Sequence, residues 1–361
     1  MPQPLEAPLR VAYTLEQCWH PVPGGTAVAA LRVAEALRAR SDVELHQVAG
    51  RHPKMPQPEY RPTGELAMLP LNRPLLYETW NRLNWPKVES VIGEIDVAHA
   101  TGLVPCGTNA PLAVTVHDLA FLHDPSQFTR HGVRTMRRSL SAVAARADRV
   151  LCPSIGTLDD CARAGIDESR LRHVPWGVDT VSVAEADIER VRRRYRLPAE
   201  FVLFVGTLEP RKNLPRLVEA LDGGALPLVV AGAHGWGDRP DLDRTHVFPI
   251  GFVDAADLPA LYAAAAVFAY PSEREGFGLP VAEAMSQGTP VVTSRGTSTE
   301  EVAGGAAVLV DPFDTVDIGR GIADALDRRD ELMQRSRSRA SELSWAASAD
   351  ATIAVYRELS R

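Results

Sequence analysis

The sequence predicts an α/β protein with two doubly wound domains facing each other across a cleft. Short apolar runs alternate with helical stretches almost throughout, and strands separated by helices pair in parallel through right-handed crossovers. The alternation restarts near residue 200 with a fresh set of strands. A length of 361 residues, divided by about 150, gives roughly 2.4 domains of ordinary size.

In the first half, Leu9–Leu15 reads as a strand. Ala27–Arg40 follows as a helix, with apolar residues at Val28, Leu31, Ala34 and Leu37 near the helical period. Val43–Val48, Asp96–Ala100, Leu112–Val116 and Arg149–Cys152 are further strands, with a helix over Arg134–Ala147. The proline-rich stretch Gly50–Pro74 has little periodicity and reads as a long loop. In the second half the strands are Phe201–Val205, Leu226–Ala231, Val247–Ile250, Val267–Ala269, Pro290–Thr293 and Ala306–Val310. Each is short, apolar and bounded by Gly, Pro or Asp, as a strand buried on both faces should be. The boundary is expected between Pro175 and Pro198, where a turn at Trp176–Asp179 precedes a charged helix, Glu185–Arg196.

Composition narrows the function classes. Hydrophobic residues make up 45% and charged residues 24%, as in a globular protein. Lys and Arg total 39 against 46 Asp and Glu, a net charge of −7. That balance gives no general pull toward nucleic acid. Cys18, Cys106, Cys152 and Cys161 form no Cys-x-x-Cys pair and no zinc-like cluster, so they read as small buried residues. Met1–Pro8 has no apolar core and does not read as a signal peptide. No apolar run reaches the roughly 18 residues of a membrane span. The expected location is the cytoplasm, with peripheral contact at the inner face of a membrane left open.

In open parallel sheets, ligands bind beyond the carboxyl ends of the strands. The most informative string, Glu275-Gly276-Phe277-Gly278-Leu279-Pro280-Val281-Ala282-Glu283, leaves such an end. Gly276 and Gly278 bare the backbone just before a helix for which Pro280 is suited to the first turn. Unpaired amides and the helix dipole together favour an anion, so the string reads as a diphosphate cradle. A carboxylate beside a phosphate would repel it. Glu275 and Glu283 are therefore expected to accept hydrogen bonds from hydroxyls on either side, the transferred sugar at Glu275 and the ribose at Glu283. For Glu283 alone, a favourable charge in a helix first turn is the plainer alternative.

Gly206-Thr207-Leu208-Glu209-Pro210-Arg211-Lys212-Asn213 follows the strand Phe201–Val205 and precedes a helix, Leu214–Leu221. Cations at a helix start oppose its dipole. Arg211 and Lys212 are thus read as phosphate ligands, the one a planar donor fork and the other a point charge. His117-Asp118 ends a first-domain strand, and His117 is the candidate catalytic histidine. Gly24-Gly25, between the first strand and first helix, resembles a phosphate loop but lacks the spaced third glycine of the dinucleotide fingerprint. Gly232–Gly237 reads equally as a ligand loop or a packing turn. Arg130, Arg134, Arg137, Arg138, Arg146 and Arg149 form a basic segment, suited to an anionic acceptor or membrane surface or to plain solvation.

These stretches, in this order, resemble a retaining GT-B glycosyltransferase of family 4 (glycosyltransferase group 1). The string Glu275–Glu283 is similar to that family's Glu-x7-Glu motif, and Gly206–Asn213 to its Gly-x-x-Glu-Pro-Arg-Lys segment. Val174–Asp179, Glu301–Gly304 and Trp345–Tyr356 match further family segments. Gly206–Asn213 with Gly235-Trp236 resembles the mannosyltransferase B-like branch. There are departures: Thr207 stands where the family often has Arg, Trp176 where it usually has Asn, and Thr26 where it has a small residue.

The resemblance implies two Rossmann-like domains. Residues 1–178 would bind the acceptor and 179–344 the nucleotide-sugar donor, and a helix over 345–361 would cross back to the first. It implies transfer of a hexose from a nucleotide-diphosphate sugar to a glycan, lipid-linked or small-molecule acceptor. Retention at the anomeric carbon is expected, with no metal and no cofactor beyond the donor substrate. His117 and Glu275 would be catalytic. Gly24, Gly25, Asp118, Gly206, Arg211, Lys212, Gly276, Phe277, Gly278, Leu279 and Glu283 would bind substrate. A nucleotide-sugar epimerase of the same fold and a non-catalytic sugar-binding protein are the alternatives. A glycoside hydrolase would use two carboxylates but has no need of phosphate-binding features.

Overall fold

A computed structural model describes residues 7–224, 226–233 and 241–361. The chain divides into two compact units. The first holds residues up to Phe121, Thr129–Gly177 and Trp345–Arg361, and the second holds Leu122–Phe128 and Val178–Ser344.

The first unit is a seven-stranded sheet in the order β3-β2-β1-β4-β5-β6-β7. Its strands are β1 Leu9–Thr14, β2 Val43–Ala49, β3 Leu66–Met68, β4 Val97–Ala100, β5 Leu112–Thr115, β6 Arg149–Cys152 and β7 Leu171–His173. Every pairing is parallel, with Val11 opposite Leu45 on one side and Val97 on the other. The central strands β4 and β5 are buried along almost their whole length, which is why they read as apolar runs.

Two expectations change here. Gly50–Pro74 is not a continuous loop: Leu66–Met68 adds the edge strand β3, and a helix, Arg73–Leu83, already begins inside the stretch. The first helix is Gly24–Arg38, so Gly24 and Gly25 form its first turn rather than a loop ahead of it. Gly24 has φ +58, a left-handed conformation that glycine adopts without strain. The buried stripe of this helix includes Ala27, Ala30, Val33, Ala34 and Leu37. Its small side chains let the helix Trp345–Leu359 pack closely against it, with Ile353 and Tyr356 in the shared core. Burying a side chain such as Leu37 or Ile353 contributes about 1.5–3 kcal/mol. At the far end of that last helix, Glu358 ties down to Arg149 of β6 (2.9 Å) and Arg172 of β7 (2.6 Å).

The second unit is a six-stranded parallel sheet in the order β10-β9-β8-β11-β12-β13. Its strands are β8 Val202–Val205, β9 Leu228–Ala231, β10 Val247–Gly251, β11 Val267–Tyr270, β12 Val291–Ser294 and β13 Val308–Val310. The four inner strands β9, β8, β11 and β12 are buried at every residue. Gly232, just past β9, lies so close to the β8 exit that a Cβ there would sit 1.9 Å from the Gly206 carbonyl oxygen. Only glycine fits that approach.

Candidate functional site

Strand order in the second sheet reverses between β8 and β11, and ligands of open α/β sheets gather beyond such a switch point. Gly206–Asn213 leaves β8 and Pro271–Glu283 leaves β11, so the topology brings together the two strings singled out in the sequence. Pro210–Lys212 forms one 3-10 turn. Asn213, at φ 60, then starts the helix Leu214–Ala220, while its amide donates to the Pro271 carbonyl at 2.9 Å. That bond pins one loop to the other.

Four charged side chains meet where the loops touch. Arg211 donates to Glu275 Oε2 (2.7 Å) and Glu209 Oε2 (2.9 Å). Lys212 Nζ donates to Glu275 Oε1 at 2.8 Å and to the Tyr270 hydroxyl. Tyr270 and Ser272 also donate to Glu275 Oε1, at 2.9 and 2.8 Å. The Thr207 hydroxyl donates to Glu209. All four charges are nearly buried, from 3% side-chain exposure at Glu209 to 17% at Arg211. Burial alone would raise the Glu275 pKa, yet Arg211 and Lys212 beside it hold the carboxyl far below its ordinary range. Burial lowers Lys212, and the like charge of Arg211 adds to that. Two cations and two carboxylates balance, as a buried charge cluster must. Glu209, Tyr270 and Ser272 were not singled out in the sequence. Glu209 sits inside the motif, but Tyr270 and Ser272 carried no signal of their own.

Next to this cluster the helix Leu279–Ser286 begins, with Gly278 as its cap at φ 108. A Cβ at Gly278 would stand 2.8 Å from Thr299 Cγ2. The amides of Gly278 and Leu279 have no hydrogen-bond acceptor among the described residues. This is the bare backbone that an anion site requires. Phe277 and Leu279 are buried, and Gly276 with them. Glu283 Oε2 accepts from Tyr262 (2.8 Å), and its Oε1 has no partner among the described residues. Burial pushes the Glu283 pKa up, Tyr262 opposes this and Asp179 adds to it.

The remaining sequence candidates lie in the first unit. His117 follows β5. Its Nε2 donates to the Thr101 carbonyl (2.8 Å), which fixes the proton there, and its Nδ1 is buried without a partner. Burial lowers its pKa, so the ring is neutral. Trp176, the family departure, packs edge-on against it with ring centroids 5.2 Å apart. Asp118 accepts from the Ala120 amide at 3.0 Å, starting the short helix Ala120–His123. The basic segment becomes the helix Arg130–Arg146 and the start of β6, and three of its arginines are structural ties. Arg138 binds Glu78 at 2.7 Å, Arg146 binds the Trp80 carbonyl at 2.7 Å and Arg149 binds Glu358. Arg130, Arg134 and Arg137 are exposed. Of the loop Gly232–Gly237, residues 234–237 lie outside the described residues.

Two doubly wound sheets, the second with a charge cluster and a bare helix start at its switch point, define the GT-B architecture. Anabaena HepE, solved in complex with UDP and glucose, aligns with a TM-score of 0.73 at 17% identity, over 97% of this chain and 100% of that one.

The family follows from the sequence comparisons. Residues 187–342 match the group 1 glycosyl transferases and residues 23–182 match glycosyltransferase family 4. O-antigen chain mannosyltransferase B of Escherichia coli is 32% identical over 270 residues, spanning 68% of this chain and 70% of that protein. The serotype-specific mannosyltransferase WbdA of the same organism is 33% identical over 190 residues, 48% of this chain but only 23% of that longer protein. The chain belongs to the family 4 glycosyltransferases, and within them to the mannosyltransferase-like branch. Among the described residues, no helix is long and apolar enough to cross a membrane.

Proposed function

We propose that the chain moves a hexose from a nucleotide-diphosphate sugar to a hydroxyl of a glycan, lipid-linked or small-molecule acceptor, with retention at the anomeric carbon. The supporting observation is that Arg211 and Lys212 both meet Glu275, in the same loop that ends in the free amides of Gly278 and Leu279. The hard event is departure of a charged diphosphate. Preorganised donors aimed at that growing charge lower the barrier without any reorganisation at the moment of reaction. Arg211 and Lys212 would take this part, so the route needs no metal.

Glu275 would do two things. Through Oε1 it anchors Lys212, Tyr270 and Ser272, and through Oε2 it would accept a sugar hydroxyl beside Arg211. Glu283 Oε1 would take the ribose. Mannose carried on GDP is the donor favoured by the likeness to mannosyltransferases. The roles of His117, Asp118, Gly24 and Gly25 rest on the family resemblance. Arg130, Arg134 and Arg137 are the cations left for an anionic acceptor or a membrane surface.

The test is a panel of GDP-, UDP-, ADP- and TDP-sugars, scored by thermal shift and by release of the nucleoside diphosphate. The expected result is stabilisation by one nucleotide series, with product of unchanged anomeric configuration by NMR. Interconversion of the donor with no acceptor present would make the protein an epimerase. Sugar binding with no nucleotide effect would make it a binding protein.

A further inference from the structure

A second group of polar side chains stands at the carboxyl ends of β1 and β2, within the first unit and apart from every residue assigned above. β1 runs into a 3-10 turn, Glu16–Trp19. Glu16 is buried, with its Oε2 accepting the Gly50 amide (2.7 Å) and its Oε1 facing His52 Nε2 at 2.8 Å. A Cβ on Gly50 would come within 2.9 Å of both the Leu71 carbonyl and Leu76, so the turn that delivers the amide needs glycine. The His52 ring lies flat on Trp19, with centroids 4.5 Å apart and planes within 9°. Trp19 is itself held by a bond from its Nε1 to the Lys54 carbonyl (2.8 Å).

His52 is thus fixed on two sides. Its Nε2 carries the proton that Glu16 accepts, as in other carboxylate–imidazole pairs. Its Nδ1 has no partner among the described residues and is not among the buried atoms left unpaired. Arg73 hangs on the same tryptophan, with NH1 donating to the Trp19 carbonyl at 3.0 Å. As the first residue of the helix Arg73–Leu83, it opposes that helix's dipole, a placement that does not serve the helix. Beside it His20, bonded to the Tyr77 hydroxyl at 3.1 Å, is brought down to about 4 by burial and by the charges of Arg73 and His52, so it stays neutral.

We propose that His52 and Arg73 form a saccharide subsite for the acceptor, with His52 Nδ1 receiving a hydrogen bond from a sugar hydroxyl and the Arg73 guanidinium donating to a neighbouring one. The pair offers one acceptor and several donors, both tied to Trp19, which suits hydroxyls that both give and take hydrogen bonds. Glu16 is a positioning residue that sets the tautomer of His52. The assignment rests on the glycosyltransferase reading and names where its acceptor binds.

The full chain would be titrated with methyl α-mannoside, methyl α-glucoside and N-acetylglucosamine by saturation-transfer NMR, and separately with GDP and UDP. At least one saccharide should bind. His52→Ala and Arg73→Met should each weaken it about tenfold, the worth of one lost hydrogen bond, while nucleotide affinity moves less than about twofold. Glu16→Gln should turn the single His52 tautomer seen by nitrogen NMR into a mixture, a change that loss of packing alone would not produce. If His52→Ala fails to fold, Arg73→Met still decides, because its side chain is partly exposed at a helix start. Saccharide affinity unchanged in the variants, or no saccharide bound by the native chain, overturns the proposal. Failure of GDP and UDP to bind would instead strike the donor reading and leave the saccharide result to stand alone.

Discussion

Both sheets reverse strand order at their centre, between β1 and β4 in the first unit and between β8 and β11 in the second, and both collect polar side chains beyond the strand ends there. In the second unit these are ions: Glu209, Arg211, Lys212 and Glu275, buried and paired with one another. In the first, neutral rings and amides stand beside one buried carboxylate, Glu16, and the partly exposed Arg73. His117 stays neutral because it is buried, His20 is lowered to about 4, and Gln17 bonds Thr101 at 2.7 Å. Taking four ions out of water carries a large desolvation cost that no fold needs for its own sake. The contrast is between a second sheet end that gathers a closed cluster of ions and a first in which neutral polar groups predominate.

The strongest way to break this comparison is Glu275→Gln. Turnover should fall about 100- to 1000-fold, the range for losing a preorganised electrostatic partner. Nucleotide affinity should hold or rise, since Arg211 and Lys212 lose the charge that balances them. A matched fall in affinity and turnover would reduce Glu275 to a brace for the two cations. A smaller effect, about tenfold on turnover, is expected for His117→Ala, the first unit's neutral ring. Normal turnover would remove His117 from the catalytic set.

The smallest effect lies in the pH dependence of stability. The Glu275 carboxyl sits below its ordinary value of 4.5 in the folded state. Its contribution is therefore fully present above that value and is lost progressively as pH falls from there toward the lower folded-state value. Native protein should lose stability more steeply than Glu275→Gln between about pH 5 and about pH 3, as read by denaturant midpoints. Parallel slopes would mean that the ion cluster is not coupled to folding.

Much of the second unit was legible because strands buried on both faces leave uninterrupted apolar runs. Val202–Val205 and Val267–Tyr270 differ from their sequence-based limits by one residue at an end. Edge strands leave no such trace. Leu66–Met68 is partly exposed within a proline-rich stretch, and Leu171–His173 carries two polar residues in three, so neither was expected as a strand. The site was legible as two motifs, but not in how they meet. Lys212 and Glu275 are 63 residues apart, and only the switch point puts them 2.8 Å from each other. From the sequence, Glu275 is expected at a sugar hydroxyl rather than at phosphate because like charges repel, and Arg211 and Lys212 read as phosphate ligands. Folding pairs all three. Glu16, His52 and Arg73 escaped notice for the same reason, since their relation exists only once β1, β2 and a helix start have come together.

One titration tests the central claim directly. Native protein and Lys212→Ala would each be titrated by calorimetry with whichever of GDP or UDP binds more tightly, and with its nucleoside lacking phosphate. The account predicts that the variant binds the diphosphate about 10- to 100-fold more weakly, the cost of one charged hydrogen-bonding partner, and the nucleoside within about twofold of native. Equal loss for both ligands, or none for the diphosphate, would contradict it.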